Sequence, residues 1–519
     1  MSEQYPVLVL LIPLFTALLV GFVGMANRRI CYPLVVAAMA ACVADAIGIL
    51  HRVLAEGPIS YVVGGWTRPA GIGIQLHIDT LNALVLLAVT TAGLLTAVFS
   101  FRRDDEDKTK KSPLFYALFL LFIMGMCGMT ITGDAFNLYV LIEVASLTSY
   151  ALIAMGRSKR AAPAAFKYII MGTIGASFYL LGVGCLYLRT GTLNMVEIHN
   201  TIASLGGEGL RTVHVAFAMI LVGLLIKMAF FPLHGWLPNA YTYCPSTSAC
   251  AMAPLMTKVS VYVMIRMMLT VFGAEWVFQS TPYTQWMVRI AVVAILAGSA
   301  LALAQTRLRK MFCYLIVAEV GYMVGGAWLA NHWGMVGAVY HILGDAFMTL
   351  CMFLVAAALL HQARVTKLSH MEGMFRRQPL TMGVFVVGAL SMIGVPPTCG
   401  FFSKWYLIRG GIESGHWEYV AALLISSLVN AVLFFRIFEI AYFGNKPAAG
   451  HGHHGDDAPA AAGTTAPPHW SRAAPLLAVA TIILLLGIFN REIVEWIERS
   501  LAGMKFIGTM LPQWKGGLF

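Results

Sequence analysis

Long apolar runs recur along this 519-residue chain so regularly that few folds remain open to it. A helix rises about 1.5 Å per residue, so roughly 17–25 apolar residues cross a hydrocarbon slab. By that measure about fourteen spans follow one another, near 6–25, 32–51, 79–100, 114–132, 135–155, 165–188, 213–231, 247–271, 287–304, 311–330, 334–360, 380–409, 418–443 and 473–490. Within lipid every backbone amide must find its partner inside the protein, and runs of this length do so as helices. The predicted fold class is an all-α polytopic membrane protein. Two runs are interrupted. Gly394-Val-Pro396-Pro397 divides 380–409 into two expected half-helices, and Pro232, Gly235 and Pro238 break 213–246. Proline removes an amide donor and clashes with the preceding turn, so both places free backbone carbonyls.

Composition agrees, with 59% of residues hydrophobic and 11% charged. The formal charge of +11 does not point to nucleic acid, because in a membrane chain basic residues gather in the loops that stay in the cytoplasm. Loops after odd-numbered spans carry twenty of the 35 lysines and arginines, and the opposite side ten. The richer side is therefore expected to be cytoplasmic, with both termini outside. The N-terminus lacks a basic leader and a small-residue cleavage site, so it reads as the first span of an inner-membrane protein. The nine cysteines are scattered and form no Cys-x-x-Cys pair. Neither an iron–sulfur cluster nor a structural zinc is expected, and no cofactor motif or catalytic site of the chain's own is present.

The segments outside the spans are few. Residues 58–78 alternate and turn like a short external hairpin. Residues 444–472 form a His/Pro/Ala-rich cytoplasmic linker, in which His451, His453, His454, Asp456 and Asp457 are possible weak metal ligands, although the composition is that of a disordered connector. The tail after Asn490 has Trp496, Trp514 and sparse charges, like an interfacial segment. Spans four to eight and nine to thirteen lay over each other as two five-helix units. The expected organisation is thus 1–112, 113–271, 287–443, the linker, and a C-terminal helix with its tail at 473–519. Five is odd, so the two units would enter the membrane in opposite senses, and interrupted helices at matching places mark a transport site.

Charges inside the spans carry the functional reading. A charged side chain at the bilayer centre costs about 2.5–3.5 kcal/mol on insertion scales, so it normally faces a protein interior or a wet cavity. Glu143 lies mid-span in the fifth run. Lys227 sits just before Pro232, with no basic company that would mark it as an interfacial anchor. Lys258, Tyr262 and Arg266 fall four apart on one helical face. Lys258 is deep; Arg266 is nearer the end, where snorkelling and function are equally open. His341 and Asp345 also stand four apart, able to hydrogen-bond, and imidazole titrates near neutrality. Lys404 follows the second break, where a lysine would face freed carbonyls. Glu319 is deep in the tenth span. Chains of such groups in membranes mark proton routes.

The stretches GDAFNLYVLIEVASLTSYALIAMG, TGTLNM, IKMAFFPLHGWLPNAY, PSTSACAMAPLMTKVSVYVMIRM and GVPPTCGFFSKWYLI resemble the antiporter-like membrane subunits of Mrp-type multisubunit cation/proton antiporters. They are also similar to the proton-pumping subunits of respiratory complex I and membrane-bound hydrogenases. The D-type Mrp subunit is nearest, from Phe136-Asn-Leu-Tyr139, Thr190-Gly-Thr-Leu-Asn194 and Gly64-Gly-Trp66. This resemblance implies a fourteen-helix fold with two inverted five-helix units and broken seventh and twelfth helices. It implies a key glutamate at Glu143, a paired lysine at Lys227, a relay lysine at Lys258 and a terminal lysine at Lys404. It also implies partner membrane subunits, with protons and, in an antiporter, sodium as the transported ions. The alternative is the pump arm of a redox complex. One position departs: the family usually carries a lysine about one turn after a His or Asp in the eleventh span, and aligned on Asp345 that position is Thr349, which does not titrate.

Overall fold

Each apolar run becomes a helix whose ends are set by local chemistry. The structure, a computed structural model, describes residues 5–65, 73–101, 112–205, 208–443 and 469–503. Its main helices are α1 (Tyr5–Ala26), α2 (Cys31–Glu56), α3 (Thr80–Phe99), α4 (Ser112–Ile131), α5 (Ala135–Ala154), α6 (Ala161–Thr190), α7 (Glu208–Lys227) and α8 (Ser246–Arg266). They continue as α9 (Tyr283–Leu303), α10 (Leu308–Trp328), α11 (His332–Ala363), α12 (Pro379–Ile393), α13 (Cys399–Glu413), α14 (Trp417–Phe443), α15 (Trp470–Ile488) and α16 (Asn490–Gly503). Asp79, Asp134 and Asn331 cap α3, α5 and α11, each side chain accepting from the backbone amide three residues on.

Thirteen helices among the described residues are long and apolar enough to cross a membrane. The expected fourteenth crossing is the split pair α12 and α13, which meet at Gly394 and the Pro396–Pro397 turn. The other expected interruption is equally clear. Helix α7 stops at Lys227, the chain turns through 228–236, and Leu237–Tyr243 resumes as a short helix.

The helices are not equally exposed. In its most apolar 18-residue window α11 is 100% buried and α8 and α10 are 94% buried, against 28% for α1 and 39% for α6. The α8–α10–α11 group is therefore a lipid-free centre. Helix α11 packs against α8, α10, α12, α13, α15 and α3. Close backbone approach supports this packing: a methyl group added at Gly298 would lie 2.7 Å from the Ala318 amide nitrogen of α10.

Outside the bundle, strands Ile59–Val62 and Gln75–Ile78 pair antiparallel, Ile59 opposite Ile78. This is the expected hairpin; its tip, with Trp66, lies outside the described residues, as do residues 444–468 of the His-rich linker with His451, His453, His454, Asp456 and Asp457, whereas the last residues of that expected linker already belong to α15. Helix α16, in the tail, buries Ile493, Val494, Ile497 and Leu501. It packs on α3 and α11, with Glu498 at 2.8 Å from His332.

Candidate functional site

Lys227 is the last residue of α7 and is 2% exposed, so it is not a snorkelling anchor. The chain leaves the helix through Ala229 at φ 58°, and the Ile226 carbonyl accepts from the Ala229 amide at 3.2 Å and from the indole of Trp236 at 3.1 Å. The ammonium of Lys227 donates to Ser146 Oγ at 2.7 Å and lies 3.4 Å from Glu143 Oε1. Ser146 uses its own hydrogen on Ile142 O, so its oxygen is free to accept from the lysine. The tight partner of Lys227 is thus a serine, and the glutamate contact is longer than the usual 2.7–3.2 Å range, about right for a pair that separates easily. Glu143 keeps 23% of its side chain exposed.

The central group sits between α8, α10 and α11, and here the sequence reading needs a correction. His341 and Asp345 share α11 but not a hydrogen bond. His341 Nε2 is 2.6 Å from Glu319 Oε2 on α10, and its Nδ1 is 2.8 Å from Ser403 Oγ on α13. Asp345 turns to α8, with Oδ2 3.0 Å from Lys258 Nζ and Oδ1 accepting from Thr349 Oγ1 at 2.8 Å. A helix buried all round offers polar side chains cross-helix partners, so the spacing of four does not by itself pair His341 with Asp345. Ser403 donates to Gly400 O, which makes His341 Nδ1 the donor to Ser403.

Glu319, His341 and Asp345 each bring one ligand atom within 4.8 Å of the others, close enough to share a cation. Asp345 already has Lys258 beside it, however, and Glu319 has the His341 ring. A metal ion would have to displace one of these.

Lys404, on α13, reaches back across the break. Its ammonium donates to the last carbonyls of α12, Met392 O at 2.7 Å and Ile393 O at 3.2 Å, and to Ser427 Oγ at 3.0 Å. The expected meeting of a lysine with freed carbonyls is what the chain does. A cation there also suits the negative end of α12.

Arg266 does not snorkel. It is buried and donates to Asp79 Oδ2 at 2.6 Å, and Ser500 of α16 donates to Asp79 Oδ1. Burial alone would raise the Asp79 carboxyl, but Arg266 and the Asn82 amide hold it below the usual carboxylate range. The neighbouring His77 imidazole is lowered by burial and by Arg266. This pair walls a cavity of about 500 Å³ lined also by Leu54, His199 and Arg499. The sequence reading did not name Asp79, Ser146, Ser403 or Ser427. Asp79 is legible as a cap before an apolar run, but its partner lies 187 residues away.

Against known proteins, the family model described as NADH:quinone oxidoreductase/Mrp antiporter, TM, matches residues 132–430. The chain is 40% identical over 496 residues to a protein of Desulforudis audaxviator named as the N subunit of an NADH-quinone oxidoreductase, covering 95% of this chain and 98% of that one. It is 29% identical to the D-type subunit of the Na(+)/H(+) antiporter of Bacillus subtilis, covering 96% and 95%. Among solved structures, a chain of an archaeal membrane-bound sulfane sulfur reductase superposes with a TM-score of 0.86 at 28% identity, covering 98% of this chain and all of that one. A chain of the Mrp complex from Dietzia sp. DQ12-45-1b, at 24% identity, shares the fold with a TM-score of 0.85, covering 98% of each chain.

Proposed function

This chain belongs to the NADH:quinone oxidoreductase/Mrp antiporter membrane family, and from that premise we propose that it moves protons across a membrane as one subunit of a larger complex. One observation carries the reading: three buried lysines, each held by groups that can let it go. Lys227 rests on Ser146 and Glu143, Lys258 on Thr349 and Asp345, and Lys404 on the α12 carbonyls and Ser427. Protons enter from the cytoplasmic side near the break after Lys227. They pass through Lys258, Asp345, Glu319 and His341, and leave near Lys404. Glu143 acts as a switch. Moving it away removes the anion that stabilises the Lys227 ammonium, and the lysine then hands on its proton.

The two five-helix units, 113–271 and 287–443, run in opposite senses in this reading, supported by the breaks after α7 and between α12 and α13. Residues 1–112 and 473–519 flank them, and both termini lie outside the cytoplasmic membrane. The driving force is a sodium gradient in a Mrp-type antiporter. The redox-driven alternative is favoured by one specific observation, the 40% relative whose name is that of an oxidoreductase subunit.

The test is to purify the complex with its native partners, identify the other chains and reconstitute it in vesicles carrying a pH dye. Proton movement that needs sodium supports the antiporter. Movement that needs an electron donor and ignores sodium supports the pump. A complex that moves protons under neither condition overturns the proposal.

A further inference from the structure

Thr349 stands between the two charges at the centre of the molecule, and the directions of its hydrogen bonds are fixed by chemistry. An ammonium has hydrogens to give and nothing with which to accept. In the contact between Lys258 Nζ and Thr349 Oγ1, at 2.9 Å, the lysine is therefore the donor. The hydroxyl hydrogen is then directed to Asp345 Oδ1 at 2.8 Å. Asp345 Oδ2 lies 3.0 Å from the same ammonium as an ion contact, and that oxygen accepts no hydrogen bond. The hydrogen-bonded path from Lys258 to Asp345 thus runs through Thr349. All three side chains are buried, Lys258 at 1% exposure, Thr349 at 1% and Asp345 at 0%.

We infer that Thr349 is the relay hydroxyl through which Lys258 exchanges its proton with Asp345. The inference rests on the proton-carrying reading above. The step balances without any other reactant. An N–H bond of Lys258 breaks as the threonine oxygen gains that hydrogen, and the original Thr349 O–H breaks as Asp345 Oδ1 gains its own. The products are a neutral amine, an intact hydroxyl pointing the other way and a neutral carboxylic acid. No separated charge is left in a dry interior, where it would be costly. A titrating side chain at position 349 is therefore unnecessary for this exchange. Glu319 Oε1, fully buried and accepting no hydrogen bond, stands beside Asp345 as the next acceptor along the row.

The experiment uses the whole complex in vesicles and measures the rate of proton movement and its pH profile for Thr349→Val and Thr349→Ser. Valine keeps the shape and removes the hydroxyl; serine keeps the hydroxyl. Proton-transfer groups typically contribute about 10²–10⁴-fold, and the remaining direct contact offers a slower bypass. Thr349→Val is expected to slow transport by about tenfold or more and to shift the pH profile, with Thr349→Ser within about twofold of the wild type. Wild-type rate and profile in Thr349→Val would overturn the inference, as would a serine variant that fails alongside it. Should the valine variant not assemble, Thr349→Ala against Thr349→Ser poses the same question, and equal rates in those two overturn the inference. A wild-type complex that moves no protons instead sinks the underlying function.

Discussion

Lys227 holds Ser146 at 2.7 Å and Glu143 at 3.4 Å, so its ammonium stays anchored when the glutamate moves. Replacing Glu143 or Lys227 by alanine should abolish proton movement while the complex stays assembled, as checked by vesicle transport and by gel filtration of the purified complex. Lys227→Arg should fail as well, because a guanidinium keeps its proton at any working pH. The Arg266–Asp79 pair makes a different prediction, one about stability. Asp79 is held below its ordinary carboxylate value, so its contribution is complete above about pH 4, the unfolded value, and disappears as pH falls through the lower folded value. Thermal unfolding of the purified protein in detergent should show no change from this pair between pH 8 and about 5, and a loss below about 4. Asp79→Asn removes the anion to which Arg266 donates and should cost up to about 3–5 kcal/mol at neutral pH, without the acid-side drop. Such charges are legible in a sequence because they stand out against apolar runs. Their partners are not, as His341 and Asp345 illustrate: four residues apart on one helix, they bond to α10 and α13 in one case and α8 in the other.

At the scale of elements, the sequence predicts best where length and breakers decide. The spans expected at 135–155 and 334–360 are the helices Ala135–Ala154 and His332–Ala363, because apolar length in lipid admits no other backbone. The break at Gly394 was equally legible, since a helix does not run on through Gly394-Val395-Pro396-Pro397. Gly394 has φ +96°, and a methyl group there would sit 3.2 Å from Lys404 Cδ. Gly394→Ala should therefore strain the turn by about 1–2 kcal/mol and push the Lys404 stem off the α12 carbonyls. Its transport should fall severalfold, measured against Gly383→Ala in the same helix, where an added methyl meets nothing within 4 Å. A Gly394→Ala complex as fast as that control would remove Lys404 from the route. What the sequence could not convey was that the tail helix α16 reaches α3, where Ser500 meets Asp79; nothing in its amphipathic pattern selects that partner.

Across the whole molecule, burial is graded from the rim to the middle, and the charged row follows the grade. Helices α1 and α6 turn most of their surface outward, whereas α8, α10 and α11, which hold Lys258, Glu319, His341 and Asp345, turn almost none. The resulting polar interior needs neither lipid nor headgroup to complete it. Bilayer thickness is felt by helices whose flanks meet acyl chains, which tilt to accommodate a mismatch. Here those helices are a jacket around a rod, α11, that no acyl chain touches. Vesicles made from lipids of differing chain length should accordingly give one transport rate for the assembled complex, and a rate that tracks chain length would mean the jacket grips the rod after all.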